Sequence, residues 1–234
     1  MHVETEKSAN VPSPQVLNSA RELGLEQSRL EFLDRIVRRG VSAATVDAMS
    51  RVPREMFVPH SLRSEAYEDV ALPIAEGQTI SQPSLVASMV DLLELDPSHR
   101  VLEVGAGSGY QAAVLSLLAS QVVSVERIPE LTKTAKARLH LLGYARCRIE
   151  QAGDEIGWRS AAPYDRIIVA AAAPKVPAAL SNQLGPGGRM VIPVGRRTNQ
   201  DLLVVSRKSD GLSVKKAGKC MFVPLIGRDA WALT

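Results

Sequence analysis

Two short stretches of the 234-residue chain carry the side chains best suited to chemistry. The first, Gly77-Gln78-Thr79-Ile80-Ser81-Gln82-Pro83, is a polar turn that ends in a hydroxyl and meets a proline suited to a helix's first turn. The second, Val101-Leu102-Glu103-Val104-Gly105-Ala106-Gly107-Ser108-Gly109-Tyr110, is an apolar strand breaking into a glycine-rich turn. Glycines let a backbone turn tightly and lie close to a ligand. In a doubly wound sheet such a turn, outside the carboxyl end of the first strand, is where a nucleotide is held. The spacing is G-x-G-x-G, and Tyr110 stands where a dinucleotide fingerprint has its last glycine, which argues against a pyrophosphate.

The acids sharpen this reading. Glu126 ends the next apolar strand, about twenty residues after the glycines, where a carboxylate accepts both hydroxyls of a ribose. Asp154 follows the third strand, in Gly153-Asp154, where it could accept an adenine amino group. Glu103 falls inside a buried strand and must find a partner, either a ligand ammonium or a structural arginine. Together these groups fit S-adenosylmethionine, which presents a ribose, an adenine and an amino acid moiety but no phosphate.

Ser81 lies at or just before a helix N-terminus, where free backbone N–H groups favour an anion. From position alone it is equally an N-cap. The sequence argues against a Ser-His-acid hydrolase, because His2, His60, His99 and His140 sit in polar or loop settings and no nucleophile elbow precedes any serine. After the fourth strand the chain reads Val169-Ala170-Ala171-Ala172-Ala173-Pro174. That run lacks an Asn/Asp-Pro-Pro-aromatic clamp for a base amino group and the acids of metal-dependent catechol chemistry. Neither Cys147 nor Cys220 follows a proline, as cytosine C5 methylation requires. An acceptor already nucleophilic at neutral pH needs no base, and a carboxylate, with a pKa of about 4, is one. Held by hydroxyl and backbone donors, it would react chiefly through orientation.

These residues need a scaffold. Apolar strands are expected over 101–104, 122–125, 148–150, 166–170 and 190–194, with helices over 83–93, 111–119, 130–142 and 177–184. Gly143 and Gly185 sit where helix C-caps belong. Alternating strand and helix implies α/β architecture, a parallel sheet covered on both faces. Segments 201–207 and 213–223, joined through Ser209-Asp210-Gly211, read as a closing antiparallel pair. Upstream, Ser28 and Glu31 form a capping box for a helix ending at Gly40, and Ser42 caps a second helix to about Arg51. Residues 1–28 read as a loose leader, 29–80 as a helical and loop cap, and 81–234 as the sheet core of a single domain.

Composition sets limits. At 45% hydrophobic the chain can bury a full core. The net charge of +3 is dispersed and aromatics are only 4%, so the basic residues read as a solvated face and not as a nucleic-acid surface. The two cysteines match neither metal-ligand spacing nor a disulfide framework, which suits a reducing compartment. No apolar run reaches membrane-spanning length and no export signal opens the chain, so a cytoplasmic location is expected.

The motifs in order resemble those of the protein-L-isoaspartate O-methyltransferase family. They are Val52-Pro53-Arg54-Glu55-Met56-Phe57-Val58-Pro59, Ala66-Tyr67-Glu68-Asp69, the turn from Gly77 to Pro83, Val101 to Tyr110, Val125-Glu126-Arg127-Ile128-Pro129-Glu130-Leu131, Tyr164-Asp165, and Pro186-Gly187-Gly188-Arg189 through Pro193-Val194-Gly195. The resemblance implies a Rossmann-like class I methyltransferase fold and transfer of a methyl group from S-adenosylmethionine to isoaspartyl carboxylates of damaged proteins. S-adenosylhomocysteine would be the product, no metal is implied, and the ester would close to a succinimide that returns some normal aspartate. It implies Ser81 as the active-site serine, contacting the substrate carboxylate, with Thr79, Ile80, Val223 and Pro224 along the substrate. It implies Glu103, Gly105, Gly107, Ser108, Gly109, Glu126 and Asp154 around the cofactor. One departure stands out: the family's Gly-Asp-Gly after the third strand is here Gly153-Asp154-Glu155, in a loop one residue shorter. Weaker cofactor binding is the expectation. Methylation of another carboxylate, or a non-catalytic cofactor-binding module, are the alternative readings.

Overall fold

The computed structural model describes residues 14–232. Helix α1 (Pro14–Arg38) carries Phe32 and Ile36 into the core and ends at Gly40, whose φ of 78° lets Val41 N–H return to the Ile36 carbonyl at 3.2 Å. The helix starts well before the expected cap. Ser28 is an interior residue whose hydroxyl donates to the Gly24 carbonyl at 3.0 Å, a bond that lets serine sit mid-helix. Residues 14–28 of the expected leader are therefore helical, and 1–13 lie outside the described residues. Helix α2 (Ala43–Arg51) opens on Ser42, which accepts the Thr45 N–H as expected. A short hairpin, β1 (Leu72–Pro73) with β2 (Thr79–Ile80), precedes helix α3 (Pro83–Leu92).

The core then alternates: β3 (Arg100–Val104), α4 (Tyr110–Leu118), β4 (Gln121–Glu126), α5 (Pro129–Leu141), β5 (Cys147–Gln151), β6 (Tyr164–Val169), α6 (Ala178–Gln183), β7 (Leu184–Arg196), β8 (Asn199–Lys208) and β9 (Gly211–Cys220). The seven-stranded sheet runs β5-β4-β3-β6-β7-β8-β9. Its first five strands are parallel, and β8 and β9 close it antiparallel. Strand order reverses beside β3, which puts a crevice at the carboxyl ends of β3, β4 and β6.

Successive strand residues serve opposite faces. Val101 and Val122 pack with α1 to α5 residues such as Phe32, Met49 and Ala113, while Leu102 and Val123 join Tyr164, Leu180 and Met190 on the other side. Two expected boundaries shift. Gly185 is not a helix cap, since α6 stops at Gln183 and Gly185 already belongs to β7. Strand β9 stops at Cys220, and Val223 and Pro224 lie beyond it as a separate bridge. The sheet's outer edges differ in length: β5 has 5 residues and β9 has 10, the latter exposed along nearly all its length.

Candidate functional site

The crevice beside β3 holds a cavity of about 390 Å³, within the range of small-molecule sites. Three turns converge on it. The glycine turn after β3 takes positive φ at Gly105 (95°), Gly107 (52°) and Gly109 (87°), a run that only glycine adopts without strain. Gly105, Gly107 and Ser108 line the cavity. Gly109 does not; there is room for a Cβ against Ala135 and Leu139 of α5, so it is the backbone conformation, with φ of 87°, that calls for glycine there.

Glu126 ends β4 facing the same space. Its Oε2 accepts the Gly107 N–H and its Oε1 accepts the Ile128 N–H, each at 2.9 Å. One carboxylate therefore fixes the glycine turn and keeps further lone pairs for a ligand. Glu103 is fully buried on β3. The Ser124 hydroxyl donates to its Oε2, while Oε1 and the nearby cavity-lining Gln111 Nε2 each lack a partner. Burial pushes the Glu103 carboxyl up to about 8, with the Ser124 hydroxyl pulling against it, Glu126 adding to it, and the neighbouring Gln111 amide, outside hydrogen-bond geometry, pulling weakly against it.

The loop after β5 contributes Ala152, Gly153, Glu155, Ile156 and Gly157. Asp154, expected at an adenine edge, is not part of the lining. Its side chain is exposed, and its carbonyl faces the Arg228 N–H at 3.5 Å. Glu155, the departure noted in the sequence, lines the cavity with its carboxylate 3.7 Å from Arg159 in a solvent-facing pair.

Across the cavity stand Thr79, Ile80 and Ser81 from the β2 turn, opposite Val223, Pro224 and Leu225. The latter are held by the alanine run after β6: Ala172 N–H bonds to the Val223 carbonyl and Leu225 N–H to the Ala172 carbonyl, both at 2.8 Å. Small side chains there let two backbones meet at a strand end. Ser81 is not the cap of α3, because Gln82 holds that position and the Ser84 N–H goes to Asp69 Oδ1 at 3.1 Å. The Ser81 hydroxyl is in no hydrogen bond among the described residues, while its carbonyl accepts from Arg54 Nη2 at 2.7 Å. No three His, Cys, Asp or Glu side chains converge as a metal-ligand group among the described residues.

The family model for protein-L-isoaspartate(D-aspartate) O-methyltransferase matches residues 27–230. The chain belongs to this family. It is 51% identical over 199 residues to protein-L-isoaspartate O-methyltransferase 2 of Marinobacter nauticus, covering 84% of this chain and 91% of that one. It is 52% identical over 203 residues to the protein-L-isoaspartate O-methyltransferase of Methanothrix thermoacetophila, covering 86% and 96%. A solved protein-L-isoaspartate O-methyltransferase superposes with a TM-score of 0.77 at 30% identity, over 86% of this chain and 67% of that one. A Plasmodium falciparum structure solved with S-adenosyl-L-homocysteine superposes at 0.70 with 22% identity, over 82% and 95%, and is a likeness of fold.

As an isoaspartate methyltransferase family member, the chain brings together all but two of the residues its sequence singled out. Gln111 and Ile128 escaped the sequence reading. Gln111 sits one position into α4 amid apolar neighbours, where a glutamine reads as packing, and Ile128 enters through its backbone alone.

Proposed function

We propose that this protein transfers a methyl group from S-adenosylmethionine to the carboxylate of L-isoaspartyl residues in damaged proteins, which starts their repair through a succinimide. The observation that carries it is that Ser81 and Glu126, from two different turns, line one cavity. The cavity fits the cofactor: a glycine cradle, a strand-end carboxylate already oriented, and a buried acid and amide with unused hydrogen-bonding atoms. When bound, S-adenosylmethionine supplies a methyl group on a sulfonium, with S-adenosylhomocysteine as the product.

The chain's own residues bind and orient. Gly105, Gly107, Ser108 and Glu126 form the nucleoside side, and Glu103 with Gln111 forms the floor. The Ser81 hydroxyl donates to an acceptor carboxylate, which needs no base at neutral pH. Backbone at Thr79, Ile80, Val223 and Pro224 flanks the substrate chain, in keeping with an acceptor that is a peptide. Asp154 and Gly109 belong to the two loops that frame the nucleoside side. The cap expected over 29–80 gains the first turns of α1 from Pro14 and serves a single catalytic domain. No described helix is long and apolar enough to cross a membrane, and the unpaired Cys147 and Cys220 accord with work in the cytoplasm.

The test is transfer of labelled methyl to paired peptides, one isoaspartyl and one aspartyl. Base-labile labelling of the isoaspartyl peptide alone is expected. Equal labelling, or none while S-adenosylhomocysteine still binds, would overturn the proposal.

A further inference from the structure

Arg54 is fully buried, yet it has no carboxylate within ion-pair distance among the described residues. Its Nε donates to the Ala66 carbonyl at 2.6 Å and its Nη2 to the Ser81 carbonyl at 2.7 Å. The guanidinium lies 4.9 Å from the centroid of the Tyr110 ring. Tyr110 opens α4 immediately after the glycine turn and lines the cavity, as Ser81 does from the other side. The backbone N–H of Arg54 donates to the Tyr67 hydroxyl at 3.2 Å, and that hydroxyl donates to Glu55 Oε2 at 2.6 Å, so the neighbouring acid is already engaged.

Burying a guanidinium without a carboxylate in contact is costly, and two carbonyls, a ring face and the longer-range attraction of Asp69 offset only part of that cost. A planar fork with fixed donor directions gives something an apolar residue does not: it holds two chain segments at a set separation. Arg54 does not reach the cavity. Its reach ends at the carbonyl behind the Ser81 hydroxyl and at the ring that starts the cofactor helix.

We propose that Arg54 is a positioning residue for methyl transfer. By tying the Ser81 turn to the cap at Ala66 and stacking on Tyr110, it sets where the Ser81 hydroxyl stands relative to the glycine turn. The proposal rests on the reading that Ser81 receives the acceptor carboxylate. A misplacement of about 1 Å at such a group costs roughly a hundredfold in rate.

The full-length chain is compared with Arg54→Met and Arg54→Lys by amide hydrogen exchange, S-adenosylhomocysteine affinity, and kcat and KM on an isoaspartyl peptide. In Arg54→Met, exchange over residues 79–84 rises about tenfold or more while the central strands keep their protection. The kcat falls roughly tenfold to a hundredfold, and S-adenosylhomocysteine affinity stays within about threefold. Arg54→Lys, which keeps the charge but not the fork, falls between. Unchanged exchange over 79–84 overturns the proposal, as does a wild-type kcat in a variant whose turn has loosened. Loss of strand protection and cofactor affinity in step with kcat also overturns it, since that marks a role in folding alone. If Arg54→Met does not fold, Arg54→Lys decides: wild-type exchange and kcat refute the clamp, and a lower kcat at near-constant KM supports it. If the wild-type chain does not methylate the peptide, the functional reading fails while the exchange data still judge Arg54.

Discussion

Glu126 and Ser81 divide the cavity between them, and their surroundings say how each should fail. The Glu126 carboxylate accepts two backbone N–H groups before any ligand arrives, so Glu126→Gln turns an amide donor toward one of them. The same change removes the charge that Glu126 offers a ribose hydroxyl; a charge-assisted bond to the ligand is worth about 1.5–3 kcal/mol, so S-adenosylhomocysteine should bind roughly tenfold to a hundredfold more weakly by calorimetry. Ser81→Ala removes a hydroxyl that no described residue uses. Cofactor affinity should stay near wild type while kcat on the isoaspartyl peptide falls about tenfold or more; equal losses in both variants would refute the division. Glu126 was legible because a strand-end acid after a glycine turn has a fixed geometric partner. The place of Asp154 was harder to read, because its loop follows no period and the sequence does not say which of two adjacent acids, Asp154 or Glu155, borders the cavity. Arg54 was unreadable as a clamp, since an arginine in an irregular segment is ordinarily a solvated charge.

Helix α3 shows how an element can be set by a distant residue. Its first-turn N–H at Ser84 is taken by Asp69, fifteen positions upstream, which also pairs with Arg39 at 3.1 Å. That cap holds the turn carrying Ser81 against the segment that precedes it. Asp69→Ala should cost about 1 kcal/mol, most of it from the cap since the Arg39 pair is half exposed. For a chain of this size that is a Tm lower by roughly 2–4 °C in a thermal melt. An unchanged Tm would mean that water or Ser81 replaces the carboxylate. Periodicity revealed α3 and α5 because each buries one apolar stripe, whereas α4, buried on every side over 110–116, was legible from its place between two strands. It missed the start of α1 because serine is both a good cap and a tolerated interior residue, and Ser28 proved to be the second. It placed a cap at Gly185 because glycine ends helices and equally enters strands where backbones crowd, here with the Tyr164 carbonyl 3.3 Å from any added Cβ.

The sheet as a whole imposes a burial that one of its own residues opposes. Glu103 sits where β3 is covered on both sides, and burial lifts its carboxyl to about 8. Folded protein thus retains a proton that the unfolded chain gives up in the ordinary carboxylate range. The stability tied to this group is complete at low pH and is lost as pH rises through about 8. Tm of the ligand-free wild type should therefore decline between about pH 5 and about pH 8 more than that of Glu103→Gln, which has no proton to lose; parallel curves would show that the carboxyl titrates alike in both states. The sheet's margins carry a different consequence. Strand β5 is short and bears Arg148 and Glu150, while β9 is long and open but places Lys215, Lys216 and Lys219 along its length, with a register break opposite at Leu202 and Leu203. Lysines and a bulge are the features by which an open margin resists strand addition. For an enzyme whose substrates are other protein chains, a bare margin would be open to strand addition by them. The charged rim of β9 disfavours such addition.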